Sequence, residues 1–504
     1  MFSMLLNGFG TILSSPSVLL MCFVGCALGT FIGALPGIGP AAGVAVLLPL
    51  IYGKEPLTSL VLLSGIFSGT MFGGAISSIS LNIPGTSAAV ATTFDGYPLA
   101  KAGKAGKAIG ISAVASFIGG TIATVLLCLF GIPLSKLALR FGPPEYFMLY
   151  LFTFIVILTL TEGTLIKTCV SLLFGLLLST VGADPISGAG RLTFGNIQLF
   201  AGIDFLPAIM GLFGMSEVLI NLSKHNGSIK TEVEKSYSQY TLKKVLPTFS
   251  DFKVCLPSIL RQSVVGFIIG ALPGAGASIA TLTGYSLEKN FLKDSDNFGK
   301  GDIRGVAAPE AADNGSAIGS YVPLLSLGIP GSATSALLLG AFVILGIQPG
   351  PLLFSEHPDI VGGLIASMYV GNIILLIVNT AFIPVFIFLL AKSANVVSVV
   401  VASCCMIGVY ALRNSMFDVL LTIIFTGIGV LFKKNRIPIV PAVIALVLGF
   451  DLEHSFRQTL QMTNGQFRIV FTRPLCIVLI SLSALLLLTS IIRKMRGRKA
   501  DSQT

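Results

Sequence analysis

Charge is scarce in this sequence: only 11% of the 504 residues are Asp, Glu, Lys or Arg, against about a quarter in an ordinary soluble domain. A water-soluble fold of this length could not cover its surface with so few charges, so that class is excluded. Histidine is nearly missing, with three residues standing singly in polar stretches, and the eight cysteines form no Cys-x-x-Cys pair. Those spacings argue against a zinc or iron–sulfur centre and leave cysteine as a small packing residue. Tryptophan is absent, so any interfacial aromatic belt must use Tyr and Phe. No Lys or Arg precedes Lys54. The basic start of a secretory signal is therefore lacking, and the first apolar segment is expected to stay in the mature chain. Nor is there a Ser–His–Asp set, a paired-carboxylate motif or a Gly-Lys-Ser/Thr phosphate loop. No enzyme and no cofactor are expected.

What is present is long apolar runs, such as Val361–Leu390 and Leu475–Ile492. About 20 such residues span a bilayer core as a helix, whereas a membrane barrel would show short alternating segments. The predicted class is an all-α polytopic membrane protein with about ten to twelve crossings. The net charge of +10 is explained by basic loops rather than by a nucleic-acid partner, because Lys and Arg accumulate on the cytoplasmic side. The tail from Arg493 to Lys499 is thus expected inside, Asp451–Arg473 outside, Lys433–Arg436 inside and Ser355–Asp359 outside. The long polar stretch Ser223–Lys253, with six Lys, and the group Lys101, Lys104 and Lys107 are both expected inside.

A repeat runs through the chain. Gly33-Ala-Leu-Pro36-Gly37-Ile-Gly39 returns as Gly270-Ala-Leu-Pro273-Gly274-Ala-Gly276. Each copy is followed by a second element, first Ser80-Leu-Asn82-Ile-Pro84-Gly85-Thr86-Ser87, then Ser326-Leu-Gly-Ile-Pro330-Gly331-Ser332-Ala333. Counting crossings, the first copy leads to the inside loop at Lys101 and the second to the outside loop at Ser355, so the halves are expected to be inverted. Inverted repeats are a recurrent plan of secondary transporters, with the substrate near mid-membrane. The predicted organisation is a first membrane repeat over 1–222, a cytoplasmic loop over 223–256, a second repeat with C-terminal helices over 257–492 and a basic tail over 493–504.

Pro and Gly inside an apolar run break a helix, since Pro lacks a donor and Gly tolerates irregular backbone. Freed backbone groups are expensive in lipid, so such breaks face protein or a watery cavity. They expose helix N-termini that attract anions, and here Thr86, Ser87 and Ser332 add neutral hydroxyl donors. These elements are the candidate substrate site, against the alternative that their glycines only allow close packing. Glu310, Asp313 and Asn314 offer hard oxygen ligands for a coupling ion, Na⁺ or H⁺, against the alternative of a solvated capping loop. Asn82 is expected to be a buried polar residue, and Asp95-Gly-Tyr-Pro98 reads as a turn at the cytoplasmic surface. Glu145, Glu162 and Glu217 near segment ends read as interfacial.

The ordered blocks Gly33-Ala-Leu-Pro-Gly-Ile-Gly, Leu81-Asn-Ile-Pro-Gly-Thr, Thr93-Phe-Asp-Gly-Tyr-Pro-Leu-Ala, Ala308-Pro-Glu-Ala-Ala-Asp-Asn-Gly and Leu327-Gly-Ile-Pro-Gly-Ser resemble the large membrane subunit of the tripartite tricarboxylate transporter family. The resemblance covers about residues 15 to 350. It implies import of citrate or a related carboxylate, driven by a Na⁺ or H⁺ gradient. It also implies a small membrane subunit of about four helices, a periplasmic solute-binding protein and a bacterial inner membrane. The implied substrate positions are Pro36, Gly37, Gly39, Asn82, Pro84, Gly85, Thr86, Ser87, Pro273, Gly274, Gly276, Pro330, Gly331 and Ser332. One departure stands out: Asp313-Asn314 occupies a place where two Asn are expected, which bears on ion coordination. A stand-alone elevator-type carrier for another organic anion would show much the same residues.

Overall fold

The computed structural model describes residues 1–35, 39–161, 164–184, 187–223, 245–292, 295–383, 402–403, 406–407, 409–410 and 414–501. The helices used below are α1 (Phe2–Ser14), α2 (Pro16–Ala34), α3 (Pro40–Leu47), α4 (Pro56–Leu81), α5 (Val90–Lys101), α6 (Ala105–Ala138), α7 (Pro143–Leu160) and α8 (Leu165–Ser179). They continue with α9 (Phe249–Gly270), α10 (Gly276–Phe291), α11 (Arg304–Gly319), α12 (Tyr321–Leu327), α13 (Ala333–Ile344), α14 (Pro358–Ala381), α15 (Met416–Lys434), α16 (Val440–Met462) and α17 (Pro474–Asp501). The one sheet among the described residues is a two-stranded hairpin, Gly182–Ala183 against Gly190–Arg191. Among the described residues, seven helices (α2, α4, α6, α7, α9, α14 and α15) are long and apolar enough to cross a membrane. The chain is a polytopic helical membrane protein. Most of the loop expected over Ser223–Lys253 and the end of the apolar run Val361–Leu390, from 384 on, lie outside the described residues.

Two compact units are present, and they do not follow chain order. The first comprises Met1–Ser135, Leu206–Leu272 and Gly276–Val430; the second comprises Lys136–Phe205, Pro273–Ala275 and Leu431–Thr504.

The first unit is built on a helix pair that occurs twice. α4 begins at Pro56, where a missing N–H is harmless, and ends where Asn82 turns left-handed at φ 56°. It carries no charged residue. Gly65, Gly69 and Gly73 step along it four apart and face Gly25, Gly29 and Gly33 of α2. The backbones touch: a Cβ on Gly29 would lie 2.4 Å from the Ile66 carbonyl oxygen, and one on Gly73 2.1 Å from that of Thr30. Membrane helices associate through such small-residue seams. The second half repeats the seam with α9 and α11, where a Cβ on Gly266 would lie 2.3 Å from the Ala312 oxygen and one on Gly270 2.1 Å from that of Ser316.

The two copies run in opposite directions. The start of α4 packs on the start of α14, where a Cβ on Gly363 would meet the Leu57 side chain at 2.6 Å. The counterpart of α4 is α11 continued by α12, and its end meets the same region: Gly328 approaches Pro349, just ahead of α14, with 2.8 Å from a Cβ there to the Pro349 oxygen. One helix therefore starts where its repeat finishes, so the halves are inverted. At the opposite face Lys107 pairs with Asp251 at 2.6 Å, both from stretches expected on one side.

In the second unit, α16 packs between α7 and α8, and α17 covers α7. Arg473 pairs with Glu145 at 3.0 Å. Arg457 and Arg191 share Glu453 and Asp184, at distances from 2.5 to 3.6 Å. On the other side of these helices Lys167 donates to the Asn435 carbonyl at 2.6 Å and Ser171 donates to that of Pro438.

Candidate functional site

At each Pro-Gly element a helix stops and another starts. α2 ends at Ala34 and α3 resumes at Pro40 with Gly39 as its N-cap; Pro36 and Gly37 lie outside the described residues. α9 ends at Gly270 and α10 begins at Gly276, with Gly274 and Gly276 at φ +78° and +69°. That backbone is strained for any residue with a Cβ. Pro273 and Gly274 belong to the second unit, where Gly274 packs on Ile157.

The Ile-Pro-Gly elements are alike in detail. Asn82 and Gly328 each close a helix in the left-handed conformation. Thr86 and Ser332 each start the next helical segment with a side-chain oxygen that accepts from the amide three residues on, Ala89 N and Ser335 N, both at 3.2 Å. Gly85 is buried against the Gly33 carbonyl oxygen, which a Cβ would approach to 2.1 Å; Gly331 sits in the same way on the Gly270 oxygen, at 2.8 Å. The two motifs of each half are thus in direct contact. Pro330 is buried and Pro84 half-buried beside them.

Contacts between the halves are reciprocal. The 3-10 turn Ser87–Ala89, after the first Ile-Pro-Gly, packs on α10, and the Ser278 hydroxyl donates to Ser87 Oγ at 2.8 Å. In exchange α13, after the second Ile-Pro-Gly, packs on α3. α4 and α11 cross between them, and Tyr321 of α12 donates to Ser64 Oγ of α4 at 3.0 Å. The structure therefore sets the turn after Gly85 and Thr86 on α10, the helix that Gly276 starts, and sets α13, which follows Gly331 and Ser332, on α3, the helix that Gly39 caps; Ser87 is the residue whose side chain joins the two halves. Such a place offers helix N-termini and hydroxyls to an anion.

The three coupling-ion candidates lie on α11, in the interior of the unit rather than on a capping loop. Every residue from Gly305 to Gly319 is buried. Thr92 of α5 donates to Glu310 Oε1 at 2.5 Å, and Ser116 of α6 to Oε2 at 3.1 Å. Asn314 Nδ2 donates to the Glu310 carbonyl at 3.3 Å. Asp313 is 1% exposed, and among the described residues none donates a hydrogen bond to either of its carboxylate oxygens.

Several sequence expectations are corrected. Asn82 is exposed: its role as a left-handed helix end, which Asn tolerates, turns it outward. Asp95 is not in a surface turn. It is fully buried within α5 and accepts from Tyr285 Oη and from the amides of Gly299, Gly301 and Asp302, at 2.8 to 3.0 Å. Those donors, which sit about 190 or more positions away, override the local turn signal. Glu145 is buried rather than interfacial; it caps Gly142 N at 2.9 Å and binds Arg473. Glu162 lies outside the described residues. Sequence reasoning missed Glu288 of α10, which is fully buried and bound by Ser258, Arg261 and Gln262 of α9. The signal for it was the placement of those three at i, i+3 and i+4 on one helix face.

A family model described as the tripartite tricarboxylate transporter TctA family matches residues 19–444. A protein of Agrobacterium vitis, described as an uncharacterized 52.8 kDa protein in the TAR-I ttuC' 3'region, is 36% identical over 495 residues, which is 98% of this chain and 96% of its own length. A second from the same organism, described as an uncharacterized protein in the TAR-II ttuC' 3'region, is 33% identical over 234 residues, covering 46% of this chain and 97% of its own. No solved structure matches the chain.

Proposed function

The chain belongs to the tripartite tricarboxylate transporter TctA family as a membrane transport component, and from that membership we propose that it is the large permease subunit importing citrate or a related carboxylate by cation-coupled secondary transport. The carrying observation is the reciprocal crossing of the two Ile-Pro-Gly elements in inverted halves. Their helix starts and hydroxyls suit a carboxylate that must bind and leave, where a fixed cation at mid-membrane depth would be costly. Inversion supplies two related arrangements of one site, as alternating access needs. The proposed setting is a bacterial inner membrane with the C-terminus cytoplasmic. The partners are a small membrane subunit of about four helices and a periplasmic solute-binding protein, and the coupling ion is Na⁺ or H⁺.

The test is uptake of radiolabelled citrate into proteoliposomes holding this chain and its small partner, with and without the binding protein, under an imposed Na⁺ or proton gradient. Uptake that requires both gradient and binding protein is expected. Uptake without the binding protein would favour a stand-alone carrier. No uptake of citrate or of smaller carboxylates would overturn the substrate class. Gly331→Leu should abolish transport while the protein still inserts, because its side chain would enter the contact with Gly270 and Ser320.

A further inference from the structure

α11 places two carboxyl groups one helical turn apart in a buried helix, and the protein treats them differently. Burying a lone charge costs several kcal/mol, and most buried polar atoms find partners. Glu310 has them: hydroxyls from α5 and α6 hold both of its oxygens. Asp313, equally buried, receives no donor on either oxygen from any described residue.

We propose that Asp313 is the side chain through which this carrier couples to a proton, while Glu310 is the anchor that fixes α11; the proposal rests on the reading that the chain is a gradient-driven carrier. Among the described residues, the surroundings bring no cation to Asp313. α4, the turn Ser87–Ala89 and α12 contain no charged residue. Arg261 of α9 is committed to Glu288 of α10, and Asp251 of α9 to Lys107 of α6. Tyr285 of α10 donates to Asp95 of α5. Lys253, Lys289 and Lys101, toward the ends of α9, α10 and α5, are exposed or half-buried. The charged neighbour that acts on Asp313 is Glu310, a like charge. None of the described side chains neutralises it.

A proton fits better than a metal cation. A hard cation gathers several oxygen ligands, and hydroxyls placed to share one would hydrogen-bond the carboxylate in its absence. None does. A proton needs one oxygen. It is taken from water on the proton-rich side by an Asp313 oxygen, giving a neutral carboxylic acid, and is returned to water on the other side, restoring the carboxylate. The position also suits a coupling role. Glu310 ties α11 to α5, which follows the first Ile-Pro-Gly, and α11 runs into Ser320, which packs on Gly331 of the second. Adding or removing charge at Asp313 changes the cost of burying the helix that joins the two.

Proteoliposomes with the full complex are loaded with labelled citrate under a one-unit pH gradient, membrane potential clamped. Each coupled proton supports about tenfold accumulation per pH unit. Wild type should accumulate citrate, D313N should equilibrate to a ratio near one, and E310Q, whose amide oxygen still accepts from Thr92, should keep a pH-driven ratio above one. Infrared spectroscopy gives a readout without substrate: a protonated-carboxyl band at neutral pH in wild type and E310Q, missing in D313N. If D313N does not assemble, D313E should keep both accumulation and a shifted band. Full accumulation by D313N, or wild-type accumulation driven by Na⁺ and indifferent to the pH gradient, would overturn the proposal. If wild type accumulates citrate under no gradient, the carrier reading fails, and the infrared band alone decides whether Asp313 holds a proton.

Discussion

Replacing Gly85 by Ala adds one methyl group at the most crowded point of the crossing. Its Cβ would stand 2.1 Å from the Gly33 oxygen, 2.7 Å from Ser77 Oγ and 2.9 Å from Gly74 Cα, where ordinary contact begins at 3.4 Å. The Gly33 carbonyl cannot recoil freely, because Gly33 is itself pressed on Thr70, with 2.3 Å from a Cβ there to the Thr70 oxygen. Overpacking a tight core costs about 1–3 kcal/mol, and backbone on both sides puts Gly85→Ala at the upper end. Its repeat counterpart Gly331 meets its neighbours at 2.8 to 3.0 Å, so Gly331→Ala should cost about 1 kcal/mol. Gly39 has no atom within 4 Å of its Cβ position and a φ of −68° that Ala adopts readily; Gly39→Ala should melt with the wild type. Thermal melting of the four purified proteins in one detergent checks the order. If Gly85→Ala melted together with Gly39→Ala, the contact between the two motifs of the first half would be refuted.

Asp95→Ala should free the amides of Gly299, Gly301 and Asp302; with about 1.5–3 kcal/mol per hydrogen bond to a charged group, their hydrogen exchange should quicken at least about tenfold, read by mass spectrometry. Thr86→Ala and Ser332→Ala should each cost about 1 kcal/mol, the usual worth of an N-cap, since each side-chain oxygen accepts from the amide three residues on; a variant that melted with the wild type would show that its cap contributes nothing. Arg457→Ala removes contacts to Asp184 and Glu453 from a side chain 32% exposed. It should cost no more than about 1 kcal/mol, and the melting difference should shrink in molar salt.

The parts of this structure that belong to single residues are legible in the sequence. Pro and Gly carry their helix-breaking chemistry with them, so the interruptions at 34–40, 270–276 and 327–333 follow from composition alone. The same holds for the repeat, whose two Ile-Pro-Gly elements occupy matching places. The partners of the carboxylates are not legible. Asp95-Gly-Tyr-Pro has every local mark of a turn, and only donors from beyond residue 284 keep it helical and buried. The run from Glu310 to Ser316 reads equally well as a capping loop or a buried helix, because its polar residues alternate with Ala and Gly. What decides between them is the glycine seam on α9, which accepts a helix without bulky side chains. Asn82 misleads for the opposite reason: an amide inside an apolar segment suggests burial, yet the chain uses it for its backbone.

The reciprocal crossing also sets a schedule for biosynthesis. Ser87 waits for Ser278, Thr92 for Glu310, and Asp95 for Gly299 to Asp302, so the ribosome delivers the first half roughly 190 to 220 residues before its partners. At about 5–20 residues per second, that half stands for on the order of ten seconds or more with the Asp95 carboxylate and the Ser87 and Thr92 hydroxyls lacking these partners. Where such groups meet lipid, nothing there satisfies them. The nascent first half therefore needs shelter, in the insertion machinery or against another subunit, until α10 and α11 arrive, and the polar residues that serve the finished protein are the ones that make its assembly most vulnerable to delay.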